Sequence, residues 1–145
     1  MGEIQPVAVT HDRVAVVMED GTGPLANEVR IGPHLLRADE PAGLGGEGKG
    51  PDPFEFLIAG LGVCTSMTLR LYANRKGWPL ERISVRVRHA ERLSQGAARD
   101  VFTREIELVG DLDDEARRRL LTIAERCPVS RTLTAGADIQ TSLVA

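Results

Sequence analysis

The sequence predicts an α+β fold, and three observations carry that expectation. The first forty residues hold short β-branched runs. One long apolar stretch follows, bounded by helix start and stop signals. Beyond it stand two cleanly alternating segments and an amphipathic helical stripe. At 145 residues and 15.7 kDa the chain has the length of one domain. We expect a single domain with an N-terminal β region (1–41), a glycine-rich loop (42–51) and a core (52–145).

Val7 to Val9, then Val14, Val16 and Val17, read as the first strands, and Asp20-Gly21 suits a tight turn after them. Further strands are expected near Glu28–Ile31 and at His34–Ala38, with Gly32-Pro33 turning between them. Residues 42–51 hold five glycines in ten positions and read as a loop without regular structure. Gly43 to Lys49 has the G-x-x-x-x-G-K spacing of a phosphate-binding loop. Gly50 stands where that motif needs Ser or Thr, however, and Asp52 would stand where the phosphate docks. A plain connector is the better reading.

A helix start follows. Asp52 is placed to cap it, Pro53 to be its first residue, and Glu55 to be the reciprocal partner three positions after the cap. The helix is expected to run to about Lys76, where Gly77 suits a C-cap and Pro79 blocks continuation. Its first half is apolar almost all round, as in a helix buried in a domain or at a subunit interface. Arg70, Asn74, Arg75 and Lys76 turn the other end towards water. Gly60 and Gly62 each cost a helix interior about 1 kcal/mol relative to alanine. A close approach by another backbone or by a ligand would justify that cost.

Ile83, Val85 and Val87 alternate with Arg82, Ser84, Arg86 and Arg88, which makes a half-buried strand. After a polar loop at 94–99, Phe102, Arg104, Ile106 and Leu108 interleave with Thr103, Glu105 and Glu107. The two segments read as an antiparallel pair whose arginines and glutamates meet across the strands. Asp111 to Asp114 opens a second helix, with acidic residues favouring its dipole. Leu112, Ala116, Leu120 and Ile123 form its apolar stripe, and Cys127-Pro128 ends it. Val129–Leu133 adds a helical turn, and Ile139–Val144 reads as a last strand.

Several function classes are already disfavoured. A net charge of −3 gives no generic attraction to nucleic acid or an anionic membrane. Five aromatic residues are too few for a base-stacking surface. The start of the chain lacks the basic and apolar pattern of a secretory signal. The longest charge-free run, Phe56 to Leu69, has fourteen residues and is too short to span a bilayer. A cytoplasmic protein is expected, where lasting disulfides are uncommon. His11, His34 and His89 share no metal-ligand spacing.

Two cysteines remain. Cys64 stands inside the apolar helix, where a free cysteine commonly serves as a small buried hydrophobe. Thr65, Ser66 and Thr68 put hydroxyls near it. Cys127 precedes Pro128, so it falls at the N-cap of the next helical turn, where backbone N–H groups favour a thiolate. It also follows Ile123 by four residues and so continues an apolar stripe. Placement alone leaves open two structural thiols, one disulfide or a redox pair.

Two segments carry a resemblance. Gly50-Pro51-Asp52-Pro53-Phe54-Glu55-Phe56-Leu57, followed nine residues after the glutamate by Cys64, resembles the first signature of the OsmC/Ohr family. These are the osmotically inducible and organic hydroperoxide resistance proteins. Cys127-Pro128-Val129-Ser130-Arg131-Thr132-Leu133 resembles the second signature, and the 63-residue spacing of the cysteines fits. Cys64 through Trp78 resembles a general OsmC-like subgroup more than the best-studied peroxidases. The resemblance spans roughly residues 33–144.

It implies an intertwined homodimer with two central helices flanked by antiparallel β-sheets. It also implies a cysteine-based peroxidase that reduces organic hydroperoxides, with hydrogen peroxide as a further candidate substrate. On this sequence Cys64 would be the attacking thiolate and Cys127 the resolving one, reset by a dithiol reductant, with no cofactor. The family places an acidic residue near the thiol. Here Glu55 comes one position later than in the well-known peroxidases. About 100° of helix turn per residue puts it opposite Cys64. It would act in its own site through a bend at Gly60-Gly62, or in the partner chain's site. An arginine from the N-terminal part assists the family's thiolate, and Arg13, Arg30 and Arg37 are the candidates, with Arg37 first. The alternative is a non-catalytic dimer that holds a hydrophobic small molecule in its interfacial cleft.

Overall fold

A computed structural model describes residues 12–144, so the strand expected at 7–9 and His11 lie outside the described part. The chain divides after Pro53 into two compact units.

In the first unit, β1 (Val16–Glu19), β2 (Asn27–Ile31) and β3 (His34–Ala38) form an antiparallel sheet in that order. Val29 lies opposite both Val17 and Leu36. Gly32, at φ 55°, takes the left-handed place that the two-residue turn between β2 and β3 demands. The glycine-rich segment carries one short 3-10 turn, Ala42–Leu44, which the expectation of a structureless loop missed.

Asp39 organises that segment. It is nearly fully buried, and its carboxylate accepts N–H groups from Glu40 at 2.8 Å, Glu47 at 3.1 Å and Lys49 at 3.1 Å. These are the backbone donors that a phosphate would need, and the chain's own carboxylate takes them. Gly46 has no room for a side chain, since a Cβ there would stand 1.9 Å from the Glu40 carbonyl oxygen.

The second unit holds all but the first residue of α1 (Pro53–Lys76), which ends at Gly77 in the left-handed conformation, as the sequence predicts. β4 (Leu80–Ser94) and β5 (Ala97–Gly110) form a long two-stranded hairpin. Only Gln95 and Gly96 make its turn, both with positive φ. The polar loop expected at 94–99 is therefore mostly strand. Its side chains are exposed, so polarity there reports solvation and not the loss of pairing. The expected antiparallel pair is formed, with Val85 opposite Ile106 and Arg86 opposite Glu105, while Arg82 and Arg88 lie opposite Val109 and Thr103.

Asp113 caps α2 (Asp114–Ala124), its carboxylate accepting the Ala116 N–H at 2.7 Å. α3 (Pro128–Ala135) follows. The strand expected at Ile139–Val144 is not formed. Those residues have no regular structure, and Ile139 is 90% exposed. Among the described residues no strand edge pairs with this run, and a lone β-branched run does not form a strand by itself.

Leu69 and Ala73 of α1 meet Leu80 and the α2 residues Leu120, Ile123 and Ala124 in the core. Burying a leucine such as Leu120 completely contributes about 1.5–3 kcal/mol. Arg117 ties α2 to the end of β5 by donating to the carbonyls of Leu108, Gly110 and Leu112. Arg70 does not end in water as expected. It donates to the carbonyls of Leu80 and Glu81 and so joins α1 to the start of β4.

The buried residues of α1 are Leu61, Thr65, Leu69 and Ala73, one every fourth position. Val63, Met67 and Leu71, on the opposite side, are 52%, 62% and 64% exposed. The helix is thus apolar all round but covered on one side only. By length and composition it is long and apolar enough to cross a membrane, which its charge-free run alone is not. Its seat in the core with α2 is that of a helix inside a folded unit. Gly62 has the expected close neighbour, because a Cβ there would meet Val87 Cγ2 at 3.3 Å, whereas Gly60 faces open space.

Asp39 yields a pH prediction. Burial opposes its charge, but the Lys49, Glu47 and Glu40 N–H groups and the Lys49 ammonium outweigh that and hold it below its ordinary value of 3.8. Its contribution is therefore complete above that value and is lost as pH falls through the lower folded one. Limited proteolysis of the 42–50 loop should show protection at neutral pH that fails only under stronger acid. Asp39→Asn should be cut readily at every pH; equal protection of both proteins would refute the assignment.

Candidate redox site

Cys64 and Cys127 reach one place from different elements. Rotation of α1 is set by its buried stripe, and Cys64 is next to Thr65 in that stripe, so it stands at the stripe's edge and is half-buried. Cys127 is fully buried at the N-cap of α3, with Pro128 at the first helical position. Its sulfur accepts the Ser130 N–H at 3.3 Å, the capping geometry that the Cys-Pro sequence predicts. The two thiols are reduced, and they are near enough for Cys127 to act on the ionisation of Cys64.

The balance at Cys64 runs against the charged form. Burial is the largest influence and pushes its thiol up. Cys127 adds to this, while the Val129 N–H and the Thr68 hydroxyl work the other way. Within one chain Cys64 is therefore held protonated beyond the usual cysteine range.

Arg104 is the residue that sequence reasoning missed. Its side chain is only 12% exposed. It donates to Thr65 Oγ1 and to the Ala124 carbonyl, each at 3.0 Å, and to Ser130 Oγ at 3.4 Å. Glu125 lies 3.4 Å away, but its own side chain is 74% exposed. Thr65 Oγ1 in turn donates to the Leu61 carbonyl at 2.7 Å and lies 3.9 Å from Cys127 Sγ. The signal was present: in β5 Arg104 shares the inward phase of Phe102, Ile106 and Leu108.

The other candidates have these surroundings. Glu55 is exposed in the first turn of α1. In a continuous helix nine residues rise about 13 Å, too far for its carboxylate to touch Cys64 of the same chain. Arg30 pairs with Glu28, and Arg37, with a side chain 56% exposed, lies 3.5 Å from Asp20. Arg13 is exposed. All three belong to the first unit. His89 stacks on Phe54 with ring centroids 4.4 Å apart, and its Nε2 is 2.7 Å from Asp100 Oδ1. A cavity of about 450 Å³ lies beside Arg104, and its wall mixes Leu61, Phe102 and Leu121 with Arg99, Asp100 and Glu125.

The family model described as OsmC-like protein matches residues 46–142, which include both cysteines and their flanking segments. The chain belongs to the OsmC-like family. Solved structures share the fold of this OsmC-like chain. An organic hydroperoxide resistance protein OsmC from Legionella pneumophila is 22% identical, with a TM-score of 0.67 over 86% of this chain and 90% of its own. A putative osmotic stress induced and detoxification response protein from Psychrobacter arcticus is 17% identical, with a TM-score of 0.71 over 87% and 91%. A putative organic hydroperoxide resistance protein from Vibrio cholerae, with captopril bound in one of its active sites, is 21% identical, with a TM-score of 0.65 over 94% and 93%. No curated protein matches the chain in sequence.

Because Cys127 opposes the Cys64 thiolate, Cys127→Ala should lower the midpoint of Cys64 alkylation against pH and speed its reaction with iodoacetamide at neutral pH. A midpoint that stays put or rises would show that Cys127 does not act on Cys64.

Proposed function

We propose that this OsmC-like chain is a thiol-dependent peroxidase that reduces organic hydroperoxides in the cytoplasm. The observation that carries the reading is the neighbouring pair of reduced thiols, one on the core helix and one at a helix N-cap, in the segments matched by the family. The Cys64 thiolate attacks the terminal oxygen of the hydroperoxide. The O–O bond breaks, the alkoxide leaves and takes a proton as the alcohol, and Cys64 becomes a sulfenic acid. The Cys127 sulfur then attacks Cys64, water leaves, and a disulfide forms. A dithiol reductant restores both thiols by exchange.

The uncovered face of α1 supports a homodimer as the working unit. Val63, Met67 and Leu71 form an exposed apolar row, and Gly60 on the same side leaves room for close approach. β4 and β5 pair only with each other among the described residues, and the exposed Ile139–Val144 run is fit to pair with a strand outside its own chain. A second copy is also the route by which Glu55 would serve a site, since its own Cys64 is out of reach. The hollow beside that row, with Met67, Leu71 and Ile83 in its wall, favours a second reading, a dimer that binds a hydrophobic small molecule without turnover.

Stopped-flow oxidation by cumene hydroperoxide tests the main reading. The wild-type protein should react rapidly and Cys64→Ala not at all. Cys127→Ala should complete one turnover and then accumulate sulfenic acid. Equal, slow consumption by wild type and Cys64→Ala would refute peroxidase function, and a retained apolar ligand in native mass spectrometry would then favour binding.

The raised Cys64 thiol sets the pH dependence. Its thiolate fraction, and with it the rate, should climb about tenfold per pH unit below the thiol's own value; a plateau near neutral pH would show that another group offsets burial. Met67→Glu places a charge in the apolar row and should shift the protein to monomer in light scattering; an unchanged mass would exclude this face from the interface.

A further inference from the structure

Arg104 is a nearly buried cation that the peroxidase reading does not use. Its acceptors are a hydroxyl of α1, the last carbonyl of α2 and a hydroxyl in the first turn of α3. These are the three elements that meet around Cys127. The one carboxylate close to it, among the described residues, is on Glu125, and that group is mostly in water, where an ion pair contributes little. A buried charge without a buried counter-charge is costly, and a surface arginine would hold an α2–α3 junction without that cost.

The hydrogen-bond inventory around Thr65 shows what the guanidinium does locally. The Thr65 hydroxyl has one proton and two lone pairs. The proton goes to the Leu61 carbonyl at 2.7 Å, and Arg104 Nη1 donates into a lone pair at 3.0 Å. The hydroxyl is therefore locked, and Cys127 Sγ rests against it at 3.9 Å. On its other side the sulfur accepts the Ser130 N–H, and Ser130 Oγ accepts from the same guanidinium. Arg104 thus grips both groups that flank the Cys127 sulfur.

We propose that Arg104 is a positioning residue for Cys127: through Thr65 and Ser130 it holds that sulfur aimed at Cys64, so that the disulfide closes rapidly once Cys64 is oxidised. The inference rests on the reading of Cys64 and Cys127 as a redox pair and adds the group that keeps the second thiol in line. The planar fork matters, because a lysine supplies the charge at one point only and cannot reach Thr65, Ala124 and Ser130 together.

The closing step can be followed without peroxide. Diamide, an azo oxidant, takes two electrons and two protons from the thiols and becomes a hydrazine as the disulfide forms. Acid quenching and mass spectrometry give the rate. Arg104→Gln is expected to slow closure about tenfold or more, the scale on which slight misplacement slows a reaction between positioned groups. Arg104→Lys should recover part of that loss. Alkylation of Cys64 in a Cys127→Ala background should be the same with either residue at 104.

Closure at the wild-type rate in folded Arg104→Gln would overturn the proposal. So would a matching fall in melting temperature with faster alkylation of Cys127, which would make Arg104 a structural prop only. If Arg104→Gln does not fold, Ser130→Ala carries the test. It keeps the capping N–H and removes one acceptor, so closure should slow while the melting temperature holds, and an unchanged rate would overturn the proposal. A wild-type protein that closes with diamide but ignores cumene hydroperoxide would refute the peroxidase reading and leave the role of Arg104 standing.

Discussion

The rotation of α1 about its own axis is the constraint on which the rest of the second unit depends. Leu61, Thr65, Leu69 and Ala73 are buried, and with 3.6 residues per turn no other row on the helix can face the core at the same time. That choice fixes three consequences. Thr65 points inward and meets both Arg104 and Cys127. Cys64, one step around the helix, is left at the boundary of the packed side. Val63, Met67 and Leu71 are turned away from the core. Leu69 and Ala73 anchor the rotation against Leu120, Ile123 and Ala124, so the packing that stabilises the unit is also what aims the thiol.

A second constraint is the break between α2 and α3. Pro128 has no N–H to give and disfavours helical geometry at Cys127, so the chain leaves one helix and starts another at that residue. The orphan N–H groups of the new helix then need an acceptor, and the Cys127 sulfur serves the Ser130 N–H. The Ala124 carbonyl, which would have met an N–H at position 128, takes the Cys127 N–H at 3.3 Å and Arg104 at 3.0 Å instead. One proline thus creates a donor and an acceptor within a few residues, and one cysteine and one arginine satisfy them.

Much of this was legible in the sequence, and the exceptions have physical reasons. Gly77, Pro79 and Pro128 act on the backbone within a turn, so the end of α1 and the place of Cys127 could be read from neighbours in the chain. The length of the hairpin could not, because residues 94–99 are polar whether they pair or not. Nor could the uncovered side of α1: Val63 and Leu69 are alike in composition, and only the tertiary partner separates them. The run at Ile139–Val144 has strand chemistry but no strand pairs with it among the described residues. Arg104 was readable from its inward phase in β5, but a charged residue there is easily taken for a solvated one, since its acceptors come from α1, α2 and α3. Glu55 matched the family pattern in sequence, yet helical rise separates it from Cys64.

The protonated state of Cys64 is the point at which fold and chemistry pull in opposite directions. Packing against Cys127 is what a disulfide needs, yet burial and that same neighbour disfavour the thiolate that must attack first. The opposition has a useful side. Nucleophilicity of a thiolate rises with its pKa, so the small charged fraction of Cys64 is intrinsically more reactive than that of an acidic thiol. A thiol that rests protonated is also slower to be consumed by chance electrophiles. In the proposed peroxidase, turnover at neutral pH would depend on how far Val129, Thr68 and any group brought by a second copy offset burial. The exposed row of α1 and the half-buried Cys64 are neighbouring strips of one helix surface, so a helix laid against that row alters the surroundings of the thiol directly. In this arrangement association and ionisation are linked: whatever covers Met67 also changes the medium in which Cys64 must lose its proton.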